Sequence, residues 1–208
     1  MRNIAAVVLL LASASWARAA DAVIVQAKGQ VYLQAKGSAR YVRVKGGEDM
    51  SYGDHVRAAA DSVAQIVLSD RGAVLVRGDS SFTLSGDADH TLLNFRFGEF
   101  LIGLRKALLS TQSFEVRTPA AVAAVRGTLF WGKSDETKTT TYAGFGHTIA
   151  VTARGQTVLV HAGEKTTVAF GQAPAATAKH DIPVSYFDNF KLGGSLQNLG
   201  ALVDLPKP

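Results

Sequence analysis

The segment that decides the fold of this chain is FEVRTPAAVAAVRGTLF, residues 114–130. Up to Thr118 it alternates apolar and polar side chains, which is the pattern of a half-buried β-strand. Pro119 cannot donate a hydrogen bond to a sheet, so we expect it at a strand end or a bulge. Gly127 offers the backbone freedom for a second sharp turn before the chain re-enters a core at Phe130. The segment therefore predicts strands joined by tight turns.

Short β-prone runs continue on both sides of this segment, with turn residues roughly every ten positions. No long segment with a 3.6-residue period separates them, which argues against a βαβ arrangement. We therefore predict an all-β fold, a single sandwich-like or roll-like domain of many short strands. The runs are residues 23–25, 31–33, 41–44, 64–68, 73–76, 81–84, 148–151, 157–160 and 166–168.

One of these runs, residues 92–104, changes the parity of its apolar side chains at Gly98. A β-bulge at this glycine would return both sets to the same face of the sheet. Just upstream, residues 77–80 (Arg-Gly-Asp-Ser) are predicted as a turn between two strands. The two apolar sets are Leu93, Phe95 and Phe97 before the glycine, and Phe100, Ile102 and Leu104 after it.

Composition excludes several classes of function. The chain has 208 residues, of which 47% are hydrophobic, enough for a substantial core. Its formal charge of +5 is scattered along the chain, so no nucleic-acid partner is predicted. The chain has no cysteine, which excludes disulfides, thiolate metal sites, thiol catalysis and a lipid anchor on cysteine.

The N-terminal segment has the features of a secretion signal. Residues 1–19 combine Arg2, an apolar run and the small residues Ala17 and Ala19 before a predicted cleavage site. The alternative is an uncleaved membrane anchor, but the run is shorter than the ~20 residues that span a bilayer. We predict Sec-type export to the periplasm, with secretion to the extracellular space as a further destination, and no membrane span after cleavage.

The C-terminal end differs in composition from the rest of the chain. We predict a β-domain over residues 20–171, a small-residue linker over 172–183, and a tail over 184–208. The tail concentrates aromatic and leucine residues, and apolar residues three apart indicate a short amphipathic helix. Two alternatives are open: the tail packs back on the β-domain, or it docks a partner.

Few residues are arranged for catalysis or for ligand binding. The five histidines lie far apart in the sequence and show no metal-ligand spacing. Neither a nucleophile elbow nor a phosphate-binding loop is present. Asp87 and Asp89 could offer oxygen ligands to calcium, although one short acidic turn is more often a solvated hairpin. We predict no cofactor, no metal and no enzymatic activity.

Several short motifs follow one another along the chain. They comprise a Gly-Asp turn, a small pair that opens a strand, an Asp-x-Gly hairpin, a Phe-Gly element, the Thr-Pro and Val-Arg-Gly-Thr block, and a closing strand. In sequence order they occupy residues 53–57, 61–64, 68–72, 97–99, 114–119, 125–130 and 158–164. Together they resemble the motifs of the FecR domain family. Each motif is weak alone, but their order over about residues 23–171 makes the resemblance specific.

The resemblance implies a periplasmic all-β domain that, in its best-known setting, passes a signal from an outer-membrane receptor to a sigma factor. Such sensors carry an anti-sigma segment and a membrane helix before the domain, whereas here we expect only the leader of residues 1–19. The resemblance therefore implies a stand-alone binding or assembly module of the cell envelope. Its expected partner is a periplasmic or outer-membrane protein, or an envelope glycan; the alternative is an enzyme acting on envelope polysaccharide.

The candidate binding residues come from the signature motifs. Small side chains between Thr118 and Gly127 would let another backbone approach closely, or would simply permit a tight corner. Arg117 and Arg126 flank this segment and could meet an acidic partner, or could be solvated. The complete candidate set is Gly53, Asp54, Arg117, Thr118, Pro119, Arg126, Gly127 and Thr128.

Overall fold

The computed structural model describes residues 20–69, 71–104, 108–183 and 185–187. Within these residues one continuous sheet of sixteen strands confirms the all-β prediction. The predicted signal over residues 1–19 lies outside the described residues. In chain order the strands are β1 Ala22–Lys28, β2 Val31–Gln34, β3 Val42–Val44, β4 Glu48–Met50, β5 His55–Ala58, β6 Val63–Leu68, β7 Gly72–Gly86, β8 His90–Leu104, β9 Ser113–Arg117, β10 Val122–Val125, β11 Leu129–Ser134, β12 Thr140–Gly144, β13 Ile149–Ala153, β14 Gln156–Val160, β15 Glu164–Val168 and β16 Ala178–Lys179.

The long hairpin of β7 and β8 is the centre of the sheet. Each of its strands has 15 residues, longer than the short strands that the sequence predicted. The free edge of β7 pairs with β6 along its first half and with β5 along its second half. The free edge of β8 pairs in parallel with β9 and, further along, antiparallel with β11. At the middle of the hairpin, the partner of β7 therefore changes from β6 to β5, and the partner of β8 changes from β9 to β11.

The sheet is irregular at that midpoint, as the sequence predicted, but the parity of β8 changes at Arg96 and not at Gly98. Arg77 pairs with Glu99 and Ser81 with Phe97, which leaves residues 78–80 opposite Gly98 alone. The rings of Phe95 and Phe100 lie 4.4 Å apart between centroids and belong to the same core, although an odd number of positions separates them. Further along, Ser81 pairs with Phe97 and Phe82 with Phe95, so Arg96 is the extra residue of β8 that returns Phe95 and Phe100 to one face.

Two further details of the prediction for this region were wrong. Residues 77–80 do not end a strand, because β7 continues through them with Asp79 in the left-handed region at φ +51°. Phe97 is only half-buried and lies outside the main core. Both differences arise because the register shifts twice in this region, so the strict alternation of an ideal strand does not apply.

Further strands extend the sheet on both sides of the hairpin. From β8 one path runs through β9, β10 and β13 to β14, and the other runs through β11 and β12 to β15. β14 and β15 are consecutive in the chain, and an isolated bridge between Gly144 and Ala162 joins the two paths. On the β7 side, the outermost strands β3 and β4 are likewise consecutive. The two paths that leave β8 therefore meet again beyond β14 and β12.

The sheet buries apolar side chains on both of its faces. The main core contains residues from both flanks and the aromatic series Phe82, Phe95, Phe100 and Phe130. A second cluster lies on the other face and is covered by the C-terminal residues Ile182, Tyr186 and Phe187. The strand residues of this second cluster are Ala73, Leu75, Leu101, Leu129, Trp131 and Ala143.

The segment before the tail also follows the sheet. Thr166 Oγ1 donates to the carbonyl of Ala175 at 2.6 Å, and β16 pairs with β15. His180 contacts the carbonyl oxygen of Gly144 through Nε2 at 3.1 Å. Residues 188–208 lie outside the described residues, so the predicted tail helix and the division into linker and tail stay predictions.

Candidate functional site

A large cavity lies where the two long strands bulge, and we name it the central cleft. It has a volume of about 1460 Å³. Its walls come from the bulge and from the chain segments that follow β5, β9 and β11, where the paired strands diverge. The lining residues are Lys28, Arg57, Ala58, residues 60–63, residues 77–79, residues 94–99, residues 117–119, residues 133–136 and Lys138.

The central cleft carries more positive than negative charge. Among the described residues the ion pair between Arg77 and Glu99 is the only one, with Nη2 and Oε2 2.8 Å apart. Outside that pair, more cations than carboxylates line the cleft, so its potential is positive. The lining cations are Lys28, Arg57, Arg77, Arg96, Arg117, Lys133 and Lys138, and the lining carboxylates are Asp61, Asp79, Glu99, Asp135 and Glu136.

His55 lies beside the arginines of the cleft. Its Nδ1 contacts Thr83 Oγ1 and its Nε2 contacts Ser81 Oγ, both at 3.0 Å. Burial of the ring, together with the charges of Arg96 and Arg57, lowers the pKa of His55 below its ordinary value of 6.5. The imidazole therefore resists protonation while the chain is folded.

This environment predicts a dependence of stability on pH. The neutral ring contributes its full stability above pH 6.5, and the contribution is lost as pH falls through the lower pKa of the folded state. We expect the stability advantage of the wild-type chain over His55→Gln to shrink below pH 6.5. Melting temperatures of both proteins across this range test the expectation, and parallel pH profiles would contradict it.

Glu99 is the most elaborately bonded side chain of the cleft. It is only 4% exposed, and both of its carboxylate oxygens accept hydrogen bonds. Arg77 donates to Oε2 from Nε at 3.1 Å and from Nη2 at 2.8 Å. Trp131 Nε1 donates to Oε1 at 2.9 Å, and the Tyr186 hydroxyl donates to the same oxygen at 2.8 Å. The carboxylate therefore joins the wall of the cleft to the C-terminal segment.

Tyr186 anchors the described end of that segment. Its ring lies edge-on to Trp131, with centroids 6.2 Å apart, and the Arg77 guanidinium lies 5.4 Å from its centroid. Burial raises the pKa of the Tyr186 phenol, and the adjacent Glu99 raises it further. The phenol consequently remains a hydrogen-bond donor at neutral pH.

The first predicted site pair, Gly53 and Asp54, forms a turn outside the cleft lining. Gly53 has φ +104° and donates its N–H to the carbonyl of Leu84 at 2.7 Å. The Asp54 carboxylate accepts the N–H groups of Lys36 at 2.8 Å and of Ser51 at 2.9 Å. These bonds occupy both oxygens of the Asp54 carboxylate. Gly53 and Asp54 therefore hold the turn at Ser51 against the segment that contains Lys36 and against the end of β7.

The second predicted group, residues 117–119, does line the cleft. Arg117 is exposed, and Pro119 follows the end of β9 as expected. Thr118 is 5% exposed, and its Oγ1 lies 3.0 Å from both Tyr142 Oη and Thr140 Oγ1. Burial raises the pKa of Tyr142, so its phenol stays protonated within this network. Thr118 therefore fixes the corner from which Arg117 reaches the cleft.

The third predicted group, residues 126–128, is not part of the cleft lining. Arg126 is exposed, whereas Thr128 is 4% exposed and donates from Oγ1 to the carbonyl of His147 at 3.0 Å. Gly127 has φ +115°, as its predicted role in a turn requires. The group shapes the return of the chain into β11.

Replacing Gly127 by valine should destabilise the domain. A β-branched side chain tolerates φ +115° poorly, at a cost of about 2 kcal/mol. Thermal unfolding of the variant measures this loss. An unchanged melting temperature would contradict the structural role of Gly127.

Sequence reasoning missed Arg57, Arg96 and Glu99 as members of the site. Long-range strand pairing brings Arg57 and Arg96 close to Arg117. Arg57 pairs with Ser81, Ser81 pairs with Phe97 beside Arg96, and Arg117 pairs with the nearby Asn94. Two sequence signals lay at or beside Glu99: the motif over residues 97–99 and the parity change at Gly98. The parity change indicated the irregularity, but neither signal identified the partners of the carboxylate, which come from positions 77, 131 and 186.

Two further sequence hypotheses can be compared with the structure. The Asp87 carboxylate caps the hairpin between β7 and β8, because its Oδ1 accepts the N–H groups of Asp89 and His90 at 2.8 Å. These bonds lower the pKa of Asp87. In the described part of the chain no cluster of three or more His, Asp or Glu side chains could hold a metal ion. No helix there is long and apolar enough to cross a membrane.

Comparisons with known proteins add a family match and a fold match. The family model described as "FecR protein" matches residues 54–145. Two crystal structures of a "putative anti-sigma factor" from Parabacteroides distasonis ATCC 8503 each align with a TM-score of 0.54 and 17% identity. Each alignment covers 61% of this chain and 60% of that protein, and such low identity shows a shared fold alone. No curated protein matches the chain.

Proposed function

Because residues 54–145 of this chain match the model of the FecR family, we propose that the chain is a non-catalytic regulatory or sensing module of the cell envelope. In this proposal the chain is exported to the periplasm and binds a protein or glycan partner there. The central cleft is the binding site. The observation that carries the proposal is the position of this charged cleft at the bulge where the strands of the sheet diverge.

The bonding of Glu99 supports a binding role over a catalytic one. It is the most buried carboxylate of the cleft, and hydrogen bonds from Arg77, Trp131 and Tyr186 occupy both of its oxygens. A general acid or base needs an oxygen that can reach the substrate. The bonds of Glu99 instead hold the wall of the cleft rigid, which suits recognition of a preformed partner.

Site-specific photocrosslinking tests this proposal. A photoreactive amino acid replaces Arg96 in the cleft or, as the matched control, Thr157, which is exposed on β14 and outside the cleft lining. The chain is expressed with its N-terminal segment and irradiated in intact cells. We expect one defined envelope adduct from position 96 and none from position 157. Identical products from both positions, or no adduct from position 96, would count against the cleft as the binding site.

A further inference from the structure

We propose that the central cleft binds a segment of an acidic polysaccharide, whose carboxylate groups are held by Arg57, Arg96 and Arg117. The inference rests on the proposed function, because it names the partner class for the same cleft. It is argued from the placement of the arginines, the size of the cleft, and the mixture of groups that line it.

The sheet places the three arginines around one surface. Arg57 on β5 pairs with Ser81, and Arg117 on β9 pairs with Asn94. Neighbouring strands lie only about 4.8 Å apart, so β5, β7, β8 and β9 bring these positions within reach of one extended ligand. All three arginines are exposed and line the cleft.

An independent observation supports a positive field at this surface. Burial of the ring lowers the pKa of His55, which contacts Ser81, and the charges of Arg96 and Arg57 lower this pKa further. A nearby carboxylate that neutralised these arginines would have the opposite effect on the imidazole. A guanidinium group binds a carboxylate with two parallel hydrogen bonds, so exposed arginines suit a ligand that carries carboxylates.

The size of the cleft favours a polymer over a single small molecule. Its volume is about 1460 Å³, whereas small-molecule pockets usually measure about 300–1,000 Å³. A segment of several sugar units would fill this space. A single monosaccharide or an inorganic anion would leave most of it to water.

The remaining lining groups favour a sugar over an acidic peptide. Asp61, Asp79, Asp135 and Glu136 stand among the arginines, and carboxylates accept hydrogen bonds from sugar hydroxyls. Phe97 is half-buried in the cleft and offers an apolar surface to the carbon face of a sugar ring. Acidic sugars combine the carboxylate, the hydroxyls and the apolar face.

Binding measurements with defined oligomers test the proposal. Hexagalacturonate is titrated into the chain by calorimetry, beside neutral maltohexaose and hexaglutamate. We expect binding of hexagalacturonate alone, weakened by added salt. Arg96→Gln and Arg117→Gln should each weaken binding about tenfold, because each removes a charge-assisted contact. The matched control Arg126→Gln, an exposed arginine outside the cleft lining, should change affinity less than about twofold.

A spectroscopic readout avoids any dependence on how the variants fold. Saturation of the wild-type chain with hexagalacturonate should raise the pKa of His55 in an NMR titration, since the sugar carboxylates would offset Arg57 and Arg96. Tighter binding of hexaglutamate would overturn the proposal in favour of an acidic protein segment. Equal binding of maltohexaose would overturn the role of charge. Failure of hexagalacturonate to bind, with a protein adduct from position 96, would overturn the glycan but not the proposed function.

Discussion

Replacing Gly98 by alanine is expected to lower the free energy of unfolding by about 4 kcal/mol. Gly98 has φ +119°, a conformation that residues with a side chain adopt only under strain. An added Cβ would also lie 2.5 Å from Ser80 Cα, so the backbone of β7 would have to move. Strain and overpacking each cost about 1–3 kcal/mol.

The loss should extend beyond local strain, because Ser80 holds the bulge together. Its hydroxyl donates to the carbonyl of Arg77 and accepts the N–H of Glu99, the latter at 3.0 Å. Displacing Ser80 therefore disturbs both residues of the buried ion pair. We expect the rim of the central cleft to lose its shape together with the bulge.

The matched control is Gly37→Ala. Gly37 also has a positive φ of +76°, but an added Cβ there has no neighbour within 4 Å. Only the backbone cost should remain, about 1 kcal/mol. Urea unfolding of both variants separates the cost of the backbone conformation from the cost of close packing against Ser80. Equal losses in the two proteins would show that close packing against Ser80 is unimportant.

Replacing Glu99 by alanine is expected to lower the free energy of unfolding by about 3 kcal/mol. Removing one partner of a buried ion pair usually costs about 3–5 kcal/mol of unfolding free energy. The lower end applies here, since the Arg77 side chain is 30% exposed and recovers part of its hydration. The Trp131 N–H also loses its acceptor. The matched control, Glu136→Ala, removes an exposed carboxylate of the cleft and should change stability by less than about 0.5 kcal/mol.

A double-mutant cycle between Glu99→Ala and Tyr186→Phe tests whether the C-terminal segment docks on this carboxylate. The Tyr186 hydroxyl donates to Glu99 Oε1 at 2.8 Å, so the two changes should be non-additive by about 1 kcal/mol. Hydrogen exchange gives a second readout, because the Tyr186 amide donates to the Pro183 carbonyl at 2.9 Å. Additive losses together with fast exchange at Tyr186 would show that this segment does not rest on the sheet in solution.

The strand content and the bulge could be predicted because both follow from local patterns. Period-two alternation and frequent turn residues indicated an all-β domain, and the parity change around Gly98 indicated the bulge. The continuation of β7 through residues 77–80 could not be predicted, since turn-forming residues are equally suited to a wide bulge. Whether such residues end a strand depends on the partner strand, which local composition does not identify.

The sequence by itself determined the all-β class, the FecR family motifs and the backbone requirements of Gly98 and Gly127, because each depends on neighbouring residues alone. Only the tertiary structure decided which charged side chains share a site. Arg57, Arg96 and Arg117 come from three different strands, and Glu99 meets Trp131 and Tyr186 across the sheet. The register between strands that are distant in the sequence determines which of these side chains lie together, and that register depends on the packing of the whole core.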